Sequence, residues 1–284
     1  MLSAETDGST IYSLRAGDVW LCPKGAPSRR LRIVCVSDTH LKHNMLLGKI
    51  PDGDILLHCG DFATKLRDSD FERVVGDFNN FLGLLPHKHK IVIAGNHEIA
   101  FNRYSREQIQ RRLSNCTYLQ DSGTLVEGLR VYGTPWTNSV NMGFSRRAPD
   151  LDVVWARVPD GVDVLMTHMP PFNTHDLAYD PHAPPRITDP CGVCGKTHRR
   201  YAHWGSRGLR KRVDVLRPPV HVFGHVHNRC FSFRTGCEDV LLVFIFSSKR
   251  WLPRVTQAKA SRFAFSLWGR GPRGCQMLQA GFLP

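Results

Sequence analysis

Short apolar runs, each followed by polar residues, recur along this chain. Five runs of four to six residues are mainly apolar and rich in β-branched side chains, a pattern typical of strands buried on both faces. They lie at residues 31–36, 55–59, 91–94, 162–166 and 220–223. Other segments carry apolar residues at helical spacing, so the chain predicts alternating strands and helices in an α/β layered fold.

Capping sequences mark the starts of the predicted helices. Ser69-x-x-Glu72 precedes a series of apolar positions at helical spacing, and Ser105-x-x-Gln108 precedes a shorter series. Both have the form of a capping box, in which the two side chains bind the first free backbone N–H groups. A further helix is predicted after Ser206, facing the last of the five strands.

Three other stretches have distinct predictions. Residues 1–30 lack sustained periodicity, which indicates an irregular N-terminal extension. Residues 125–132 are predicted to form one strand that is interrupted at Gly128. Residues 180–203 are rich in Pro, Gly, His and Cys and are predicted to form a long loop, and loops of that size in compact domains are usually functional or disordered.

Polar residues with metal-ligand chemistry follow each of the five predicted strands. These blocks are Asp38-x-His40, Gly60-Asp61, Gly95-Asn96-His97-Glu98, Thr167-His168 and Gly224-His225-x-His227. Because open α/β sheets bind ligands outside the carboxyl ends of their strands, these side chains are expected to converge. So many polar groups pointing into one buried region are stable only around a cation. The pattern therefore predicts a dinuclear metal centre.

The residue types indicate how two ions would be shared. Asp61 is the candidate shared ligand, because the two oxygens of one carboxylate can bind two ions. It follows Gly60, which lets the backbone turn sharply at this point. Asp38 and His40 lie two residues apart in a segment taken as extended, so both would point to the same side and hold the first ion. The other ligands would be Asn96, His168 and His225 for the second ion and His227 for the first.

The ligand set also indicates the metal and the chemistry. Carboxylate, amide and imidazole groups without a thiolate suit manganese, iron, nickel or zinc. Two such ions would supply a nucleophilic hydroxide and relieve charge on phosphoryl oxygens. His97 is expected to point towards the substrate, where it would donate a proton to the leaving oxygen or stabilise the phosphoryl group. The catalytic candidates are His97, Asn96 and Asp61.

The five blocks together resemble the signature motifs of the calcineurin-like metallophosphoesterase superfamily, over about residues 31–228. Four short sequences resemble more narrowly the animal metallophosphoesterase-domain proteins, which are class III cyclic nucleotide phosphodiesterases. They are Val36-Ser37-Asp38-Thr39-His40, His58-Cys59-Gly60-Asp61, Gly133-Thr134-Pro135-Trp136 and His221-Val222-Phe223-Gly224-His225. The resemblance implies a four-layer α/β/β/α sandwich of two mixed sheets and a dinuclear centre of the manganese type.

The resemblance also implies roles for individual residues. One ion would be bound by Asp38, His40, Asp61 and His227, and the other by Asp61, Asn96, His168 and His225. Asn96 and His97 would in addition contact the phosphate. Trp136 and Phe144 are separate candidates for stacking on a substrate base, with core packing as the alternative for both.

These features predict a metal-dependent phosphodiesterase. It would hydrolyse small phosphodiesters, cyclic nucleotides among the candidates, by attack of a hydroxide that bridges the two ions. The alternative is a catalytically weak interaction protein, in which the metal site is structural and a basic tail binds nucleic acid or acidic partners.

The basic charge of the chain is concentrated near its C-terminal end. Residues 229–284 contain nine basic and two acidic residues, so this tail carries +7 of the net charge of +13. A solvated basic segment is favoured over a specific nucleic-acid surface. The tail does not match the family pattern, so the fold is expected to be incomplete at its C-terminal end. The chain is thus divided into an extension (1–30), a metallophosphoesterase domain (31–228) and an atypical tail (229–284).

The cysteines and the apolar runs bear on the cellular setting. Nine cysteines are an odd number, which favours reduced thiols over a disulfide framework. The longest apolar run, residues 240–246, has seven residues, far fewer than the ~20 that a membrane-spanning helix needs. Residues 1–20 contain no secretory signal. A cytoplasmic protein without a membrane partner is therefore expected.

One cysteine pair has metal-ligand spacing. Cys191-x-x-Cys194 is followed by His198 and His203, within the predicted long loop. The functional interpretation is a small structural zinc site that orders this loop, and the alternative is a tight turn with two free thiols.

Overall fold

The computed structural model describes residues 31–183 and 190–227, together with the backbone of five short strands outside these ranges. The larger of its two main sheets has seven strands in chain order. They are β1 (Ala4–Thr6), β2 (Ser9–Tyr12), β3 (Asp18–Leu21), β4 (Leu31–Val36), β5 (Ile55–Cys59), β6 (His89–Ile93) and β7 (Thr117–Leu119). Strands β1 to β4 pair antiparallel and β4 to β7 pair parallel, so the sheet is mixed.

The three N-terminal strands differ from the irregular extension that the sequence predicted for residues 1–30. Strand β3 pairs with β4, with Asp18 opposite Val34 and Leu21 opposite Leu31. The physical reason is the free edge of β4, whose backbone N–H and C=O groups offer hydrogen-bonding partners to any short extended segment. Such pairing needs no periodicity in the segment itself, and a pattern-based prediction therefore misses it.

The second sheet has four strands in the order β13-β10-β9-β8. They are β8 (Ser122–Val126), β9 (Leu129–Thr134), β10 (Val164–Thr167) and β13 (Val220–Phe223). Strand β10 pairs parallel with both β9 and β13, whereas β8 and β9 form an antiparallel hairpin. A separate small hairpin pairs β11 (Leu177–Tyr179) with β12 (Tyr201–His203), so the predicted loop at 180–203 ends in a strand.

The β8–β9 hairpin corrects the prediction of a single strand at residues 125–132. Glu127 and Gly128 form its two-residue turn, with φ values of 51° and 84°. Two consecutive residues with positive φ are typical of the turns whose twist matches that of the flanking strands. Gly128 is therefore the second residue of a reversal of the chain and does not interrupt a continuous strand.

In the part of the chain that the structure describes, four α-helices cover the outer faces of the two sheets. They are α1 (Phe71–Gly83), α2 (Arg106–Arg112), α3 (Ala148–Ala156) and α4 (Arg207–Leu216), with short 3₁₀ helices at His43–Leu46, Asp68–Asp70 and Ile99–Arg103. None of the helices in the described part of the chain has the length and apolar character of a membrane span.

The predicted helix starts had different outcomes. At α2 the capping box is present, because Ser105 Oγ accepts from Gln108 N (3.2 Å) and Gln108 Oε1 accepts from Ser105 N (2.8 Å). At α4 the hydroxyl of Ser206 caps Leu209 N, as predicted. The capping box predicted at Ser69 was wrong, because a 3₁₀ turn at Asp68–Asp70 precedes α1 and places Ser69 outside the N-cap position.

Three packed layers of apolar side chains hold the elements together. The inner faces of the two sheets share one core, which includes Ile33, Leu57 and Ile91 from the first sheet and Val131 and Met166 from the second. The opposite face of the first sheet packs against α1 and α2, and that of the second packs against α3 and α4. This arrangement confirms the predicted α/β/β/α sandwich and leaves the carboxyl ends of the parallel strands side by side.

The atypical tail at 229–284 lies outside the described residues, apart from the backbone of β14 (Ser232–Phe233) and β15 (Leu242–Val243), which pair antiparallel. The predicted incompleteness of the fold at this end, and the proposed basic contacts of the tail, therefore stay predictions.

Candidate metal centre

Side chains from both sheets meet where the parallel strands end. Asp38, Asp61 and Asn96 follow β4, β5 and β6, and His168 and His225 follow β10 and β13. Their potential ligand atoms form two groups, each with its atoms within 4.8 Å of one another. One group is Asp38, His40, Asp61 and His227, and the other is Asp61, His168 and His225. The structure thus brings together the dispersed polar blocks, and Asp61 belongs to both groups.

The first group combines two carboxylates with two imidazoles. His227 Nε2 lies 3.0 Å from Asp38 Oδ1 and 3.2 Å from His40 Nε2. His40 Nε2 lies 4.0 Å from Asp61 Oδ2. Two imidazole nitrogens that face each other across carboxylate oxygens form a typical ligand set for a divalent transition metal.

The second group is more deeply buried. His168 Nε2 lies 3.3 Å from Asp61 Oδ2 and 3.1 Å from Asn96 Oδ1, and all three side chains are buried. The rings of His168 and His225 are 5.1 Å apart between centroids. The amide oxygen of Asn96 therefore lies beside this group, where the sequence predicted it as a ligand.

The backbone reaches the centre by left-handed turns. Asp38, His40, Asp61 and His225 have φ values of 55°, 42°, 54° and 72°. The sequence interpretation took the Asp38–His40 segment as extended, and this was wrong. The side chains converge because the chain turns sharply after each strand, and such strained conformations persist where the surrounding structure enforces them.

Glycines allow the strand ends to approach one another. Gly60 has a φ of 92°, and a Cβ there would lie 2.6 Å from the carbonyl of Ala94. A Cβ at Gly95 would lie 2.3 Å from Asp61 Oδ1 and 2.5 Å from the ring of His168. The predicted sharp turn at Gly60 is present, and Gly95 keeps free the space in which the ligands meet.

Backbone carbonyls orient the ligand imidazoles. The Nδ1 of His40 lies 3.0 Å from the oxygen of Ala63, and the Nδ1 of His168 lies 2.7 Å from the oxygen of Cys59. A carbonyl oxygen only accepts, so Nδ1 carries the proton in both rings and Nε2 is left to face the centre. Such outer contacts fix the tautomer and direction of metal-binding histidines.

Glu98 ties together the turns that carry the ligands, a role that the sequence interpretation missed. Its carboxylate accepts from the backbone N–H groups of Asp61 (2.9 Å), Ala63 (2.8 Å) and Gly95 (2.7 Å). Burial and the charge of Asp61 raise the pKa of Glu98 to about 8, while the three N–H groups and any bound cation favour its ionised form. The signal in the sequence was an acidic residue directly after Asn96 and His97, in the same polar block.

The electrostatics of the centre favour a cation. Burial lowers the pKa of His168, but the charge and hydrogen bond of Asp61 outweigh it and raise that pKa to about 9. Burial raises the pKa of Asp38, but the hydrogen bond and charge of His227 bring it well below its usual value. A proton on His168 thus supplies positive charge that the carboxylates of Asp61 and Asp38 stabilise. A divalent ion fits the same donor set, with neutral imidazoles as ligands.

His97 lies at the rim of the centre. Its Nδ1 accepts from Lys65 N (3.2 Å), which leaves Nε2 to carry the proton, 3.9 Å from Asp61 Oδ2. Burial lowers the pKa of His97. Its own backbone N–H donates to Asp61 Oδ1 (2.8 Å). The side chain is partly exposed and presents an N–H donor beside the ligands.

The aromatic candidates are placed differently from one another. Phe144 is 1% exposed and packs in the core, so the packing alternative describes it and it offers no ring face to a substrate. Trp136 is half-buried, donates to Asp121 Oδ2 (2.7 Å) and has Arg146 over its ring at 4.1 Å.

An exposed aromatic side chain beside the centre is that of Trp204, with its ring 6.1 Å from that of His225. Sequence analysis did not select it, because it stands among unrelated loop residues.

A third group of potential ligands lies in the β11–β12 hairpin. It contains Cys191, Cys194, His198 and His203, again with ligand atoms within 4.8 Å of one another. It shares no residue with the two groups above, so any ion held there would be separate.

The chain is similar to proteins of one family. A profile described as calcineurin-like phosphoesterase matches residues 31–229. UPF0046 protein C25E10.12 of Caenorhabditis elegans is 38% identical over 217 residues, which are 70% of each chain. UPF0046 protein K07C11.7 of the same organism is 34% identical over 214 residues, 70% of this chain and 64% of that one. Metallophosphoesterase domain-containing protein 1 of Homo sapiens is 35% identical over 225 residues, 71% of this chain and 62% of the human one.

Proposed function

The chain belongs to the calcineurin-like phosphoesterase family, and we propose that it is a metal-dependent hydrolase of small phosphodiesters, with cyclic nucleotides among its substrates. One observation carries the proposal: Asp61 is shared by two groups of ligands that meet at the strand ends. A carboxylate in that position would bridge two ions, which is the arrangement that in-line displacement at phosphorus uses.

The proposed centre holds two divalent ions, with manganese as the metal we favour. One would be held by Asp38, His40, Asp61 and His227, and the other by Asp61, Asn96, His168 and His225. When bound, such ions supply a nucleophile at neutral pH and neutralise charge on phosphoryl oxygens. The burial of Asp38, Asp61, Asn96 and His168 keeps these ligands fixed before substrate arrives.

We propose that His97 stabilises charge on the phosphoryl group through a hydrogen bond from its Nε2–H. The ring accepts at Nδ1 and is therefore neutral, so release of the Nε2 proton would leave an imidazolate. Nε2 carries the proton, and the ring is held edge-on against His40 at 4.7 Å between centroids. The Lys65 N–H at Nδ1 fixes the tautomer, so the donor always faces the same side. Asn96, next to it, is proposed to contact the phosphate as well as a metal ion.

We expect Asp61→Ala and His168→Ala each to abolish hydrolysis of a nitrophenyl phosphodiester in Mn²⁺ buffer. Each variant removes a ligand whose ion would supply several kcal/mol of transition-state stabilisation, so the loss should be at least about 10³-fold. Asp160→Ala is the control, because that side chain is 88% exposed and pairs with Arg212. The rate is measured by release of nitrophenolate, and folding is checked by circular dichroism.

Full activity in either variant would contradict the ligand assignment. No hydrolysis by the metal-loaded wild-type chain, across a panel of cyclic nucleotides and other small diesters, would favour the alternative of an interaction protein with a structural metal site.

A further inference from the structure

We propose that the β11–β12 hairpin binds a structural zinc ion through Cys191, Cys194, His198 and His203. Two thiolates and two imidazoles are a common ligand set of structural zinc sites. Four protein ligands complete the tetrahedral coordination of zinc and leave no position for substrate. The site is therefore distinct in chemistry from the oxygen-rich centre at the strand ends.

The distances fit tetrahedral zinc. Zinc–sulfur and zinc–nitrogen bonds of about 2.3 and about 2.0 Å at a tetrahedral angle place the two ligand atoms about 3.6 Å apart. Cys191 Sγ lies 3.7 Å from His203 Nε2. All four potential ligand atoms lie within 4.8 Å of one another. The four side chains thus surround a common point, and the Cys191–His203 pair already has the separation expected of two zinc ligands.

The backbone around the cysteine pair prepares a thiolate. The turn is closed by Gly195 N to Cys191 O (2.8 Å) and Cys191 N to Lys196 O (3.1 Å), and Gly195 has a φ of 67°, which favours glycine. Val193 N also donates to Cys191 Sγ (3.4 Å), so the turn directs a backbone N–H donor at this sulfur, as a metal-bound thiolate would accept.

The two histidines have their Nδ1 atoms engaged and their Nε2 atoms left for a ligand. His203 Nδ1 donates to Asp176 Oδ1 (2.7 Å), and Asp176 is buried. His198 Nδ1 donates to Tyr201 O (3.0 Å), while its Nε2 is buried and has no hydrogen-bond partner. A buried, unpaired ring nitrogen is unfavourable unless a ligand satisfies it. A carboxylate behind a zinc-binding histidine is the usual outer support.

These contacts argue against a turn with two free thiols. A turn with two free thiols does not explain why the imidazoles of His198 and His203 lie beside the two sulfurs. It also does not explain why His198 Nε2 is buried without a hydrogen-bond partner. A disulfide between Cys191 and Cys194 is the other possible fate of the pair, and it too leaves His198 Nε2 unsatisfied.

The ion would hold the segment that passes the metal centre. Asp176, which supports His203, also accepts from Asn173 N (2.9 Å) and Gly205 N (3.2 Å), and its carbonyl accepts from Trp204 N (2.9 Å). The ring of Trp204 lies beside His225. Zinc in the hairpin thus fixes Asp176 and, through it, the exposed aromatic side chain next to the proposed active site.

Cobalt substitution tests the proposal without relying on activity. The full chain is stripped of metal under reducing conditions and titrated with Co²⁺, and the thiolate-to-cobalt charge-transfer band in the near ultraviolet is recorded. Only a site with cysteine ligands gives this band. We expect it to saturate at one ion per chain, in the wild type and in Asp61→Ala alike, because the centre at the strand ends contains no thiolate.

Matched variants locate the ligands. Cys194→Ser removes one of the two thiolates and should at least halve the band, and His198→Ala should weaken Co²⁺ binding at this site at least about 10-fold. His182→Ala, which changes an exposed histidine of the same loop, should leave both unchanged. Zinc in the wild-type chain as purified, counted by elemental analysis after mild chelation, should be one ion per chain and should fall in His198→Ala, which retains both thiols.

The proposal is overturned by a wild-type chain that shows no thiolate band and retains no zinc. A full band in Cys194→Ser overturns it as well, as does a Cys191–Cys194 disulfide in the native protein by mass spectrometry. These outcomes are independent of the proposed phosphodiesterase activity, which is tested by the Asp61 variant.

Discussion

Glu98 is a single buried side chain that anchors three turns of the metal centre. In Glu98→Gln the amide NH₂ would face a backbone N–H, because Asp61, Ala63 and Gly95 all donate to the carboxylate. A buried donor without an acceptor costs about 1–3 kcal/mol, and we expect that loss in the free energy of unfolding. Urea denaturation at about pH 9, where Glu98 is ionised, measures it. Glu72→Gln, at a side chain that is 71% exposed, should change stability little.

The pKa of His168 predicts how metal affinity depends on pH. Burial lowers this pKa, but Asp61 raises it to about 9, so a proton competes with the ion below that pH. Affinity for Mn²⁺ should therefore rise with pH, by up to about 10-fold per unit, and level off above about pH 9. His225 does not add to this dependence, because burial lowers its pKa to about 3. Calorimetric titration checks the slope, and an affinity independent of pH between about 7 and about 9 would refute the assignment.

At the scale of residues the sequence predicts the chemistry better than the geometry. The identities of Asp38, His40 and His225 indicate a metal site, and the structure brings all three to it. The left-handed backbone at each of them is not visible in the sequence, because Asp and His rarely adopt it and tertiary contacts impose it here. Glu98 was missed for a similar reason, since its partners are backbone groups.

The helix starts give a matched test at the scale of elements. Ser105→Ala should destabilise the protein by about 0.5–2 kcal/mol, because it removes the side-chain acceptor for Gln108 N at the start of α2. Ser69→Ala has the same chemistry at an exposed position, but Ser69 is not the N-cap of α1, so stability should change by less than about 0.5 kcal/mol. Thermal or urea denaturation of the two variants measures the difference, and equal effects would contradict the described cap.

The comparison of these two helix starts shows which structural features depend on local sequence. The motif at Ser105 forms a capping box, whereas the similar motif at Ser69 does not. The difference arises because Ser69 lies within a 3₁₀ turn that precedes α1. Apolar runs located β4, β5 and β13 well, since burial on both faces needs such runs. The reversal at Gly128 and the strands within residues 1–30 depend on pairing partners, which a local pattern does not reveal.

Metal binding should stabilise the whole molecule, because the ligands come from both sheets. A ligand that binds only the folded state, at about 100 times its dissociation constant, adds about 2.7 kcal/mol. We therefore expect the melting temperature to rise with Mn²⁺ in wild type but not in Asp61→Ala. Differential scanning calorimetry measures the shift, and an equal shift in the variant would contradict a centre built on Asp61.

At the scale of the molecule, the order of strands and helices predicted an α/β layered fold, and the resemblance to the family implied the four-layer sandwich. The sequence left open whether Cys191 and Cys194 form a site, since their histidine partners depend on the fold of the hairpin. The basic tail at 229–284 lies outside the described residues, and its proposed contacts depend on charge alone.

The division of the chain between the sheets has a consequence for assembly. Strands β1 to β7 end at Leu119 and the second sheet begins at Ser122, so each sheet is drawn from one continuous stretch. Asp38 and Asp61 belong to the first stretch, and His168 and His225 to the second. A chain nicked between the two would yield complementary fragments, neither with a full set of ligands. A divalent ion would then link the two fragments reversibly, and reconstitution of the split protein would depend on metal concentration.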